Sequence, residues 1–294
     1  MMKGKGQFKA ILAVDWDAVP KLVDLDNYRV WRNEKQREIQ QPLKWLAAVH
    51  MRIARLLQRI DLPGYVYSQK GRSYAINAKQ HLGPHPVVKT DISHFYPSIT
   101  HESVRRMFRR EFRCAADVAE RLATVCCYDG QHLPTGSPLS GNIAFFAAKP
   151  MFDEIAAAAS EAGCTMTVYV DDITVSGEHA TLALLQKIRR IVYRHGLLTK
   201  AAKSKSFAAD KPKTITGVIV TSTDLRLPNS RHKLIDETRK ALSQAAGPAE
   251  RLHLQRQLQG RRQEALQVER LNLQADEPDP VAENTQKRGP ESPG

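Results

Sequence analysis

The chain has 294 residues, with 44 Lys and Arg against 31 Asp and Glu, so its formal net charge is +13. Apolar residues make up 42% and charged residues 26%, a balance that excludes a collagen-like or wholly disordered chain. No window nears 18 uninterrupted apolar residues, so no membrane partner is expected, and the basic excess points to a polyanion.

The first residues, MMKGKGQFKAILAV, are basic and then apolar, but the run stops at Asp15. That is too short for a signal peptide, and a cytoplasmic protein is expected. From Pro42 to Ile60, Leu43, Leu46, Val49, Ile53, Leu56 and Leu57 recur at helical spacing. Gly64 to Ala78 reads as short strands about a turn at Gly71, passing into a helix near Asn77. Val87 and Val88 open a buried strand with Asp91 near its end, and Pro97 breaks it. A carboxylate ending an apolar strand is costly unless paired or bound to a cation; a capping or turn Asp is the plain alternative.

Leu133 to Phe146, LPTGSPLSGNIAFF, reads as a rigid turn at Gly136 and Pro138 opening an apolar helix. Thr165 to Ser176, TMTVYVDDITVS, alternates with period two on both sides of Asp171-Asp172 and predicts a β-hairpin. Two adjacent carboxylates at a hairpin tip repel each other, and a divalent cation would offset that repulsion. Cys114, Cys126, Cys127 and Cys164 form no C-x-x-C pair and read as buried free thiols. Arg231 to Leu273 predicts two helices separated at Gly247-Pro248. The second is either a solvated helix with a core stripe or a basic helix lying along a nucleic-acid backbone. Residues 275–294 hold five acids, two bases and four prolines. This tail is −3 and the remainder +16, and it is expected to be disordered.

Taken together, a strand Asp followed five residues later by Tyr96, then LPTGSP before a helix, then YVDD in a hairpin, resemble the reverse transcriptase family. Asn77-Ala78-Lys79-Gln80-His81 matches the N-A-x-x-H segment, and Ile215-Thr216-Gly217 resembles the V-T-G segment, of retron-type reverse transcriptases. The resemblance covers roughly residues 42–273. The chain departs from the family at Thr135, where Gln is usual, at Gly141, where a proline is usual, and at Val170, where Ala is common.

The resemblance implies an α+β right-hand polymerase with fingers, an antiparallel-sheet palm and a short helical thumb. The N-terminal region and fingers would span 1–86, the palm with an interleaved fingers segment 87–212, the thumb 213–273 and the acidic tail 274–294. It implies two-metal phosphoryl transfer with two Mg²⁺ ions held by Asp91, Asp171, Asp172 and the Ile92 carbonyl. It assigns Arg72, Tyr96, Thr135, Gly136 and Lys203 to the incoming dNTP, with Tyr96 as the sugar gate. It assigns Asn77, His81, Thr216, Gly217, Arg231 and Lys233 to RNA; for Asn77 and His81, a hydrogen-bonded brace for the palm is the alternative.

The implied partners are dNTPs, a structured noncoding RNA serving as template and primer, and its RNA–DNA hybrid product, msDNA. A separate effector protein would accompany it in anti-phage defence. The alternatives are another bacterial reverse transcriptase, of group II intron or non-retron defence type, and an idle RNA-binding scaffold that restrains a toxin.

Overall fold

A computed structural model of the chain describes residues 2–273. The acidic tail lies outside the described residues. In chain order the elements are α1 (Lys5–Leu12), α2 (Val19–Leu22), β1 (Tyr28–Arg32), β2 (Glu38–Pro42), α3 (Lys44–Leu57) and α4 (Tyr74–Lys79). Next come β3 (Val87–Asp91), α5 (Phe95–Ser98), α6 (His101–Arg110), α7 (Ala116–Cys126), α8 (Ser140–Glu161), β4 (Thr165–Tyr169) and β5 (Asp172–Ser176). The remainder is α9 (Leu182–Arg194), β6 (Lys205–Phe207), β7 (Lys213–Ile215), β8 (Val218–Val220), β9 (Leu225–Arg226), α10 (Asn229–Gln244) and α11 (Pro248–Leu273). The class is α+β with antiparallel sheets, as the sequence implies.

The chain forms two compact units that interleave along the sequence. The first takes the chain up to Asp61, Ile92–Ile155 and Arg189–Lys200. Within it β1 and β2 form an antiparallel ribbon. Helix α3 buries Leu46, Val49, His50, Ile53, Ala54 and Leu57, the single face that its spacing predicts. Phe95 is buried against Phe152.

The second unit takes Leu62–Asp91, Ala156–Ile188 and the described residues from Ala201 to Leu273. Its main sheet has the order β4-β5-β3-β6, all antiparallel. Strand β3 lies between two neighbours, and Val87, Val88, Thr90 and Asp91 are all buried. A second sheet, β7-β8-β9, packs with α4 and α11 around Ala75, Ala78, Ile215, Val218, Val268 and Leu271. Helix α11 therefore has a core stripe, while Leu252 and Leu266 stay exposed.

Three local expectations differ. Gly64 to Ala78 forms no strands beyond an isolated bridge from Val66 to Val168. Its helix starts earlier, at Tyr74, because the Ser73 hydroxyl accepts the Ile76 N–H as an N-cap. Strand β3 ends at Asp91, not at Pro97: His94 turns the chain at φ +46°, and Pro97 sits in the first turn of α5, where a missing N–H costs little. Finally, β4 is not a half-buried strand of period two, for Thr167 is as buried as its apolar neighbours.

The reason is His81. It lies just past α4, buried, with one ring nitrogen 2.7 Å from the Thr167 hydroxyl and the other 2.7 Å from the Ser176 hydroxyl. It thus ties β4 to β5. Burial drives its pKa down to about 3, so the ring is neutral. In the first unit His50 is buried likewise and lowered to about 4. Between these values and the ordinary 6.5, only the unfolded chain takes up the protons. Stability is therefore complete above about pH 6.5 and falls on acidification, by up to about 1.4 kcal/mol per pH unit for each histidine. Urea unfolding at pH 5 and pH 7 measures this loss, and His81→Gln is expected to flatten it.

Candidate polymerase site

The acidic residues sit in the second unit. Hairpin β4–β5 turns through Val170 and Asp171, so the YVDD run is its tip. Val170 has φ +60°, a region that β-branched residues avoid, and of order 1–3 kcal/mol of strain is held there. Asp172 begins β5 and stands directly opposite Asp91 at the end of β3. Two distant segments thereby bring two carboxylates face to face, with Asp171 beside them in the turn.

Both facing carboxylates have a lysine. The Lys203 ammonium donates to Asp91 Oδ2 at 2.6 Å, and Asp91 is only 4% exposed. Lys89, on β3, donates to Asp172 Oδ2 at 3.3 Å and to the Thr214 carbonyl at 3.2 Å. The other oxygen of Asp172, Oδ1, is buried with no hydrogen-bond partner among the described residues. Burial raises the Asp172 pKa, and Lys89 works against that rise. A buried, under-bonded carboxylate oxygen beside a second carboxylate suits a hard divalent cation. Among the described residues, however, no group of three or more His, Cys, Asp or Glu side chains is drawn together as a metal site.

Around this pair the expected ligands of substrate and RNA fall in different environments. Lys203 contacts Asp91 rather than pointing away from the acids, because a buried carboxylate draws the nearest cation. Arg72 donates to the carbonyls of Gly64 and Val66 and stacks on Tyr67 at 4.4 Å, so it braces its own loop. His81 is not presented to RNA: both ring nitrogens are engaged inside the sheet, which is the bracing alternative. Asn77 is fully buried, and its amide has no hydrogen-bond partner among the described residues. Thr216 and Gly217, both at positive φ, are the two-residue turn joining β7 to β8, and the Thr216 hydroxyl donates to the Tyr74 carbonyl at 2.7 Å. Arg231 and Lys233 are exposed on α10, near Glu264 and Glu237 respectively.

The remaining expected residues belong to the first unit. Ile92 follows Asp91 and bridges to Thr199. Tyr96 is half-buried in α5, and a side chain added at Gly141 would lie 3.8 Å from its hydroxyl. Thr135 and Gly136 are held by β2. The Thr135 N–H donates to Gln40 Oε1 at 2.8 Å, and the Gly136 N–H donates to the Gln40 carbonyl at 3.2 Å. On the far side of the loop, His50 Nε2 donates to the Val125 carbonyl, so its Nδ1 accepts from the Ser137 hydroxyl, each at 2.8 Å. Sequence reasoning missed Lys89, Gln40 and His50. A lysine within the apolar β3 run was a readable signal; Gln40 and His50 had none.

Over residues 20–220 the chain matches the family described as reverse transcriptase (RNA-dependent DNA polymerase). The chain belongs to the reverse transcriptase family. Curated proteins similar to it include retron reverse transcriptases. It is 26% identical over 195 residues to the retron Se72 reverse transcriptase of Salmonella heidelberg, covering 64% of this chain and 50% of that one. It is 24% identical over 218 residues to the retron Ec86 reverse transcriptase of Escherichia coli, covering 71% and 68%. Thus this reverse transcriptase chain spans between half and about two thirds of the length of these curated relatives. Among solved structures, apo telomerase from Candida tropicalis aligns with a TM-score of 0.49 at 11% identity, over 68% of this chain and 47% of that one. The family match contains Asp91, Asp171, Asp172 and the LPTGSP loop. It ends at Val220, so α10 and α11 lie beyond it.

Gly136 has a reason to be glycine within the protein itself. A Cβ there would come within 2.8 Å of the Gln40 carbonyl oxygen and 2.9 Å of Ile39 Cγ2. Gly136→Ala must therefore push β2 away from the loop. An expected loss of about 1–3 kcal/mol, the scale of overpacking, is measurable by urea denaturation.

Proposed function

We propose that this protein is a retron-type RNA-directed DNA polymerase that makes msDNA from a structured noncoding RNA. The observation that carries this reading is the facing pair of buried Asp91 and partly buried Asp172, each lysine-bound, with Asp171 in the same hairpin of a family member. The anatomy proposed with it keeps the boundaries read from the sequence: fingers to residue 86, palm from 87 to 212, and thumb from 213.

Asp91, Asp171 and Asp172, with the Ile92 carbonyl, would hold two divalent ions, Mg²⁺ by expectation. When bound, such ions lower the pKa of the attacking hydroxyl and neutralise charge on the triphosphate. The protein's own part is positional. The β3–β5 pairing holds two carboxylates in register, and His81 keeps the hairpin from splaying. Lys89 and Lys203 compensate the buried charge of these acids. Lys203, half exposed, is free to exchange Asp91 for a nucleotide phosphate. Tyr96 is assigned to sugar selection, where its ring would exclude a 2′-hydroxyl. The exposed bases of α10, Arg231 and Lys233 among them, are assigned to the RNA backbone, where recognition is by shape and strongly salt-dependent. A role in anti-phage defence beside a separate effector, in the cytoplasm, is proposed with the retron reading.

Asp171→Asn is expected to reduce primer extension by about two orders of magnitude or more, with RNA retained in a filter-binding assay. Undiminished extension would remove the metal assignment. Tyr96→Ala is expected to raise ribonucleotide incorporation by roughly ten- to a hundredfold, read from rNTP/dNTP competition. Unaltered selectivity would remove the sugar-gate assignment. The retron assignment itself is tested by purifying the protein from its host, digesting with RNase and resolving the nucleic acid. A discrete, covalently primed DNA is expected; its absence with polymerase activity intact favours another class of bacterial reverse transcriptase.

A further inference from the structure

The Thr135–Gly136 segment is held by one residue twice. Gln40 accepts the Thr135 N–H through its side chain and the Gly136 N–H through its backbone. Both N–H groups are thereby used within the protein and cannot cradle a phosphate. Gln40 is itself 3% exposed, on a ribbon whose other side chains are largely exposed. A buried amide in such a ribbon needs its full set of partners. Its Nε2 donates to Glu38 Oε1 at 2.9 Å, which fixes the amide with its oxygen toward Thr135. The absence of room for a Cβ at Gly136 closes the contact from the other side. Further along, Ser137 is anchored to His50, and the Ser140 hydroxyl donates to the Pro134 carbonyl at 2.6 Å. The loop is thus held at Pro134 and Ser137, and Gln40 holds the backbone between them.

We propose that Gln40 is a positioning residue for nucleotide selection, acting through the backbone of Thr135 and Gly136. This rests on the polymerase reading above, in which that segment meets the incoming nucleotide. The side chain of Thr135 is short, so its placement depends on where its backbone is held. Releasing the Thr135 N–H lets the segment drift, which loosens the fit to a correct nucleotide more than it slows chemistry once the site is filled.

The test uses the full chain on a primed RNA template, with KM and kcat measured for a matched and a mismatched dNTP, and thermal unfolding followed separately. Gln40→Met keeps the volume but removes the acceptor. It is expected to raise KM for the matched dNTP about tenfold, the scale of one hydrogen bond, and to narrow matched-over-mismatched selectivity, with kcat within about twofold. Gln40→Glu combined with Glu38→Gln keeps an acceptor for Thr135 and a donor between the two side chains, and is expected to recover most of the KM. Should the Met variant not fold, Gln40→Asn, which withdraws the amide by one methylene, is expected to show the same KM shift. A lowered melting temperature with KM and selectivity unchanged overturns the proposal, as does a double variant no better than Met. A wild-type chain that extends no primer overturns the polymerase reading and this assignment with it.

Discussion

Two carboxylates side by side at the ends of paired strands, Asp91 buried and Asp172 partly so, are the constraint on which the second unit is built. Asp91 and Asp172 face each other across the β3–β5 ladder, and neither could stay ionised there without nearby positive charge. Lys89 comes from the same strand as Asp91, but it turns to Asp172 and to the Thr214 carbonyl. Lys203 comes from the short turn before β6. The main sheet and the β7–β8 hairpin are therefore linked through the charge they must neutralise. One oxygen of Asp172 still lacks a partner among the described residues, an imbalance that a functional site tolerates and a purely structural one would not.

Each unit also uses a neutral, buried histidine as a clip. His81 joins the two strands of the YVDD hairpin through two hydroxyls, and His50 joins the LPTGSP loop to the end of α7 through Ser137 and Val125. A neutral imidazole suits this task because one nitrogen donates while the other accepts, and no charge is buried. The left-handed Val170 is held at the tip of a hairpin so clipped, which is how the surrounding structure can sustain local strain.

Much of this was legible in the linear chain. The hairpin about Asp171-Asp172, the buried β3 strand, the helix after LPTGSP, the paired C-terminal helices and the buried cysteines all follow from local period or composition. The misreadings have local causes as well. Gly64 to Ala78 has the aromatics and glycines of a strand pair but finds no neighbour to pair with beyond one bridge. The N-A-x-x-H spacing left RNA contact and a brace for the palm both open, and His81 falls after the helix ends and turns inward to hydroxyls on two strands.

The sequence by itself determined the identity of the acids, their order along the chain and the elements that carry them. Those properties depend on neighbours a few residues away, where hydrophobic period and turn chemistry act. Tertiary structure alone decided which cation meets which acid and which amide holds the LPTGSP loop. Lys89 and Asp172 are 83 residues apart, Lys203 and Asp91 112, and Gln40 and Thr135 95. At such separations spacing carries no information, because the partner is chosen by which strands pair and which side chain fills the remaining space.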